Sequence, residues 1–333
     1  MKHKLLHLLF IATFLVTGFW ACQPEENKDH RTIQDSKPKV VTPAFNADSA
    51  YAYIQKQVDF GPRVPNTPEH AACADWLAAQ LTTFGADVIV QEATVEAWDG
   101  TPLAMKNIIG QYGVDKKKRI MLYAHWDTRP YADKDSTRKN EPIAGANDGG
   151  SGVGVLLEVA RQLNQQMTDV GIDIIFFDTE DYGAPEWVED DEESYLDWCL
   201  GSQYWSANKH KIGYRASYGI LLDMVGGKDA VFNREGTSVQ LSPNVVDKVW
   251  RTARKLGHTK YFRAEETPIT IDDNYFVTSE GGVPSANIVE YHIDVLPMGY
   301  GAFHHTHKDD MSVIDKETLQ AVGETVMEVI YQE

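Results

Sequence analysis

Repeatedly along this chain, an apolar run gives way abruptly to histidine or acid. In RIMLYAHWDTRP the run ends in His125 and Asp127; in IIFFDTEDYG it ends in Asp178, Glu180 and Asp181; in YGILLDMVGG it ends in Asp223. The stretch Ile172 to Phe177 shows little polar/apolar alternation, the pattern of a strand covered on both faces. Such strands belong to sheets sandwiched between helices, where ligands bind outside the C-terminal strand ends. Acid clustered there predicts a site.

Helical patterns fall at about 47–58, 68–84, 151–166, 199–209, 244–257 and 315–331, between the strand-like runs ADVIVQEA, KNIIGQY, RIMLYAH, IDIIFFD, YGILLDM and SANIVEY. This alternation predicts an α/β fold with a twisted, mixed, mostly parallel central sheet flanked by helices. The adjacent early runs place some strands antiparallel. A chain of 333 residues could form one domain or two. It contains no internal repeat or second linker, so a single domain over 43–333 is expected. The acidic stretch EWVEDDEESYLDW, at 186–198, reads as an insertion with a solvated face at Glu189 to Glu193.

The N-terminus reads as a targeting segment. MKHK is basic, and LLHLLFIATFLVTGFW falls short of the about 20 residues a spanning helix needs. Ala21-Cys22 then precedes a polar stretch. This layout predicts a lipoprotein-type export signal over 1–22 with lipid on Cys22, and a polar tether over 23–42. Phe19 and Trp20 are bulkier than the residues usual before such a cysteine, and an ordinary export signal is the alternative. Either way the expected location is outside the cytoplasm: periplasmic, and membrane-anchored if Cys22 is lipidated. A net charge of −18 disfavours nucleic acid and anionic membrane as partners. Cys73 and Cys199 do not by themselves define a disulfide, and Cys73 lies in the helical pattern HAACADWLAAQL, where a buried thiol is expected.

Each acidic cluster has a modest reading by itself. Asp148, in the turn GANDGGSGVG, could cap the helix that follows. His125 could bond a sheet edge, and Asp223 a turn. Together, however, converging carboxylates would repel and raise one another's pKa values unless a cation sat among them. Mixed imidazole and carboxylate ligands suit Zn2+, with three protein ligands and an open position in a catalytic site. The segment FHHTHKDD offers His304, His305 and His307, but neighbouring loop histidines do not all reach one metal easily, so a single ligand is expected from it.

HWDTRP, GANDGGSGVG, FFDTED, LLDMVG, IDDNYF and HHTHKDD follow in order and spacing the motifs of the zinc aminopeptidase superfamily (peptidase family M28-like), over about residues 43–333. Within it the chain most resembles bacterial glutaminyl-peptide cyclotransferases (glutaminyl cyclases) of the animal-type fold. The insertion GAPEWVEDDEESYLDWCL resembles a tryptophan-bearing loop of those enzymes, and the extended HWDTRPYAD motif also resembles theirs. The resemblance implies zinc-dependent cyclisation of N-terminal glutamine on peptides or exported proteins, giving pyroglutamate and ammonia. It implies one Zn2+ on Asp148, Asp181 and His305, with Glu180 as general acid/base and Asp223 and Asp272 as an acid network behind it. It also implies Trp187 as the pocket tryptophan. Two departures stand out. Asp181 occupies a position where glutamate is usual, and His304 stands where animal cyclases carry tryptophan, leaving Tyr300 and Phe303 as further candidates for the pocket wall.

The same residues could build a two-zinc aminopeptidase, with His125 and Asp223 on a second metal, Asp148 bridging and Asp127 in support. A non-catalytic binding ectodomain is a third reading. Such proteins usually lose the acids or the histidine, which this chain keeps.

Overall fold

The computed structural model describes residues 40–189, 191–295 and 299–333. Cys22 and the expected export signal lie outside the described residues, as does the tether up to residue 39. The described residues form one compact unit, Val40–Glu333. Residues 40–42, placed in the tether by sequence, are hydrogen-bonded to the domain: Gln332 and Gln166 donate to the Val40 and Val41 carbonyls at 3.0 and 2.9 Å.

In chain order the elements are α1 (Ala47–Val58), α2 (Pro68–Thr83), β1 (Asp87–Glu96), β2 (Pro102–Tyr112), β3 (Arg119–His125), α3 (Gly150–Gln165), β4 (Gly171–Phe177), α4 (Leu200–Ala207), β5 (Tyr218–Asp223), β6 (Phe232–Arg234), α5 (Gly236–Leu241), α6 (Pro243–Leu256), β7 (Phe262–Glu266), α7 (Asp273–Ser279), β8 (Ser285–Val289) and α8 (Lys316–Tyr331). The main sheet runs β1-β2-β4-β3-β5-β8. β1 and β2 form an antiparallel hairpin and β2 pairs antiparallel with β4, whereas β4, β3, β5 and β8 are parallel. This is the mixed, mostly parallel sheet expected from the sequence.

β3, β4 and β5 are buried along their whole length because helices cover both faces. Alternation then sorts their side chains. Ile120, Leu122 and Ala124 join the larger core with Val153, Leu157, Val249 and Val326, from α3, α6 and α8. Met121 and Tyr123 face the opposite core, with Trp205 of α4 and Val277 of α7. The glycines of GSGVG permit the close approach of α3. A Cβ on Gly152 would lie 2.1 Å from the Leu222 carbonyl oxygen, and one on Gly154 would lie 2.5 Å from Ile54 Cγ1. The helix thus rests directly on β5 and α1.

The sequence did not announce β6, β7, α5 and α7. They span 3, 5, 6 and 7 residues, too short to show a period. Their stability comes from specific bonds instead: both Glu235 carboxylate oxygens cap α5, on Thr237 N and Ser238 N at 2.7 Å each. Residues 186–189 and 191–198 run along the surface with one 3-10 turn, Ser194–Asp197, and Glu189, Asp191, Glu192 and Glu193 are exposed. Cys73 and Cys199 are both free and buried. No helix among the described residues is long and apolar enough to cross a membrane.

Candidate active site

Parallel register brings His125 beside Phe177 and Asp223 beside Val289, so the polar groups that end β3, β4 and β5 share one edge of the sheet. After β4 the first acid is structural. Asp178 accepts hydrogen bonds from Lys106 N at 2.6 Å and Thr179 N at 2.8 Å and pairs with buried His70 at 2.8 Å. The chain then reverses at Thr179, which holds φ at +56°. Asp127 fastens this turn, its two oxygens accepting from Glu180 N and Asp181 N at 3.1 Å each. Asp127 therefore supports the acid pair from behind. Cys199, Met224 and His305 also sit at positive φ, at 59°, 47° and 55°. Such strained residues concentrate where the surrounding structure fixes a site.

His305 Nε2 lies 3.3 Å from Asp181 Oδ1 and 3.8 Å from Asp148 Oδ2. Its other nitrogen faces Asp133 Oδ1 at 3.4 Å, and Arg129 Nε donates to that same oxygen at 3.0 Å. Burial would raise the Asp133 carboxyl, but His305 and Arg129 outweigh it and hold Asp133 well below the usual carboxylate range. Asp148 is fixed through its backbone: Asn147 N and Asp148 N donate to the Asp309 carboxyl at 2.7 and 3.0 Å. Asp148 Oδ2 and Asp181 Oδ2 are buried without a hydrogen-bond partner. Orphaned carboxylate oxygens are costly, and a divalent cation beside His305 Nε2 would satisfy both. The donor set fits zinc.

His304 also comes within reach of Asp148 and His305, with ligand atoms inside 4.8 Å of one another. Its Nδ1, however, accepts from Lys134 Nζ at 2.6 Å. An ammonium only donates, so the His304 proton sits on Nε2 and no lone pair is left for a metal. His307 turns elsewhere, with Nε2 at 3.2 Å from the Arg138 carbonyl. One histidine of the three thus faces the acids as a ligand.

A second group lies beside the first. His125 Nε2 is 3.1 Å from Asp148 Oδ1 and 3.3 Å from Asp223 Oδ1, and the three could hold an ion together. Glu180, Cys199 and Asp272 make a third cluster. There Cys199 Sγ donates to Glu180 Oε1 at 3.3 Å, and Asn287 Nδ2 donates to Asp272 Oδ2 at 2.7 Å. Burial, then Asp181 and Asp272, push the Glu180 carboxyl well up, with His125 opposing them. Burial, then Asp223 and Asp273, do the same to Asp272.

Asp148, Glu180, Asp181, Asp223, Asp272 and His305 line one cavity of about 680 Å³, with His125 and Cys199 behind its lining. Its aromatic wall differs from the sequence expectation. Trp187 is half-exposed and packs edge-on against Tyr131, with centroids 5.6 Å apart, outside the cavity lining. The wall tryptophan is Trp198, at the other end of the same insertion. It lies parallel to His305 and under the Arg129 guanidinium, which sits 4.6 Å from its ring. Gly183 makes room for it, since a Cβ there would fall 2.2 Å from Trp198 Cδ2. Phe303 is also displaced from its expected place. It packs with Met224 and Val289, while Tyr300 and His304 line the cavity with ring centroids 4.5 Å apart.

Sequence reasoning missed Trp198, Arg129, Asp133, Lys134 and Asp309 as parts of the site. Arg129 and Asp133 lie inside HWDTRPYAD, and Asp309 inside HHTHKDD, so their signal was proximity to a motif.

Residues 107–330 match peptidase family M28, and the chain belongs to that family. Within it, the chain is similar to a glutaminyl cyclase from Tannerella forsythia: the two are 51% identical with a TM-score of 0.85, over 87% of this chain and 100% of that one. A Zn-dependent exopeptidase from Parabacteroides distasonis is similar to the same degree, at 51% identity and a TM-score of 0.85, over 88% of this chain and 100% of that one. An aminopeptidase from Bacillus subtilis is 28% identical over 73% of this chain, which spans only 48% of that protein's length.

Proposed function

We propose that this protein is a zinc-dependent glutaminyl cyclase, converting the N-terminal glutamine of peptides to pyroglutamate with release of ammonia. The observation that carries this reading is that Ala184, Pro185, Glu186, Ser194, Tyr195 and Trp198 border the cavity beside the candidate metal ligands, with Trp198 stacked on His305. An aromatic wall there encloses a small flat amide and narrows access for bulk water. Similarity to the Tannerella cyclase along its full length supports it.

Asp148, Asp181 and His305 would hold one zinc ion, which supplies Lewis-acid polarisation of the side-chain amide carbonyl. The chain's own residues do the rest. The cavity holds the α-amine against the side-chain amide, so attack is intramolecular and gains from proximity. As the nitrogen–carbon bond of the five-membered ring forms, Glu180 accepts the amine proton. It returns that proton to the departing nitrogen when the original amide bond breaks, and ammonia leaves. A carboxyl lifted by burial and by Asp272 suits a group that must both take and give a proton. Asp223 and Asp272 would hold that acid network in place.

The His125–Asp148–Asp223 group favours one alternative, a two-zinc aminopeptidase. Incubating purified protein with a Gln-peptide, with and without chelator, and counting bound metal separates the two. Ammonia and one zinc support the cyclase; free glutamine and two zincs reject it.

The basic and apolar leader ending at Cys22 supports export as a lipoprotein, with exported proteins or peptides exposing N-terminal glutamine as substrates. Fatty-acid labelling of wild type and Cys22→Ser tests the anchor. Equal labelling of both would reject it.

A further inference from the structure

The cavity carries an apolar margin that cyclisation itself does not use. Ile269, Ile271 and Tyr195 all line it and are 64%, 37% and 38% exposed. Scattered surface apolar residues need no explanation, but three on the rim of one polar cavity do. Their outward setting is built in. Thr270 Oγ1 donates to Glu235 Oε1 at 2.9 Å, its carbonyl accepts from Thr237 Oγ1, and Asp272 accepts from Asn287 at 2.7 Å. These bonds hold the 270–272 backbone in place, and Ile269 and Ile271 line the cavity beside the anchored Thr270 and Asp272. Tyr195 is steadied from behind by Tyr275 and Phe276, with centroids 6.1 and 6.4 Å away.

We propose that Ile269, Ile271 and Tyr195 form an apolar subsite for the side chain of the substrate's second residue, the one following the terminal glutamine. This rests on the cyclase reading. Consecutive Cα atoms lie about 3.8 Å apart, so glutamine bound beside Glu180 and Asp272 must leave its successor at the mouth of the same cavity. Ile271 directly precedes Asp272 and marks that place. Asp191 and Glu186 also line the cavity and would repel an acidic side chain.

The test measures kcat/KM for ammonia release from Gln-Leu, Gln-Gly, Gln-Glu and Gln-Lys peptides. Wild type should favour leucine over glycine by about tenfold, the scale on which an apolar pocket discriminates, with glutamate poorest. Ile269→Ser/Ile271→Ser should bring the leucine-to-glycine ratio to within about twofold. Ile269→Asp should raise Gln-Lys relative to Gln-Leu, a gain that misfolding does not produce. A wild type indifferent to the second residue, or variants keeping the leucine preference, would overturn the subsite. Absence of ammonia with every peptide would instead overturn the cyclase reading on which the subsite rests.

Discussion

The indole of Trp198 lies parallel to the imidazole of His305, with centroids 6.0 Å apart and planes within 6°. An exposed insertion thereby becomes part of the catalytic edge. Trp198→Ala should raise KM for a Gln-peptide about tenfold or more, since it removes the aromatic wall of the cavity. Trp187→Ala, on the same loop but outside the cavity lining, should change KM by less than about twofold. Steady-state kinetics on both variants decides the matter, and the reverse order would return the wall to Trp187.

Glu180→Gln should keep the metal and lose turnover by about 10²–10⁴-fold, the range for removing a general acid/base. Metal content and rate must be read together. Normal turnover by a metal-loaded variant would remove Glu180 from the proposed role.

Asp133 would act on a bound cation through His305, whose Nδ1 it faces at 3.4 Å. Asp133→Asn should weaken metal affinity by about 10–100-fold, the usual effect of losing such an outer partner. Competition with a chelator measures this. An unchanged affinity would show that the His305 ring is oriented by packing alone.

Far from the site, Glu333 gathers Lys118, Lys248 and the Tyr218 hydroxyl, the last at 2.8 Å. Burial would raise its carboxyl, but these partners outweigh it and bring it down to about 2 from the ordinary 4.5. A depressed folded-state value means its stabilisation is fully present above pH 4.5 and is lost as the pH falls towards 2. Glu333→Gln should therefore lower stability at pH 7 by about 1 kcal/mol and by much less near pH 2. Denaturant unfolding at the two pH values checks the sign, and equal losses at both would dismiss the linkage.

Much of the fold was legible because its signals are long. Uninterrupted apolar runs mark β3, β4 and β5, and six helices show a clear period. Asp148, Glu180, Asp181 and Asp223 each adjoin such an element, whereas Asp272 and His305 were legible only from the motifs they sit in; the structure brings all six to one cavity. The choice between Trp187 and Trp198 was not legible. Both lie on one insertion, and what selects Trp198 is the space above Gly183 and the Arg129 cation, two features set by tertiary packing. Phe303 misled for a similar reason: adjacency to His304 says nothing about which way a ring turns once Met224 and Val289 offer it a dry seat. The clamp from Asp127 to the Glu180 and Asp181 amides was hidden too, because an acid beside a histidine reads first as a ligand.

The bonds that steady this edge join distant parts of the chain. His70 and Asp178 are 108 positions apart, and Asn147 and Asp309 are 162 apart. Contacts of such separation are made late in folding. A polypeptide still being synthesised, with residues 304–333 not yet made, would lack both His305 and the Asp309 carboxyl that orients Asp148. If the protein is the proposed cyclase, a copy that stops short of His305 would be chemically silent towards every glutamine it met.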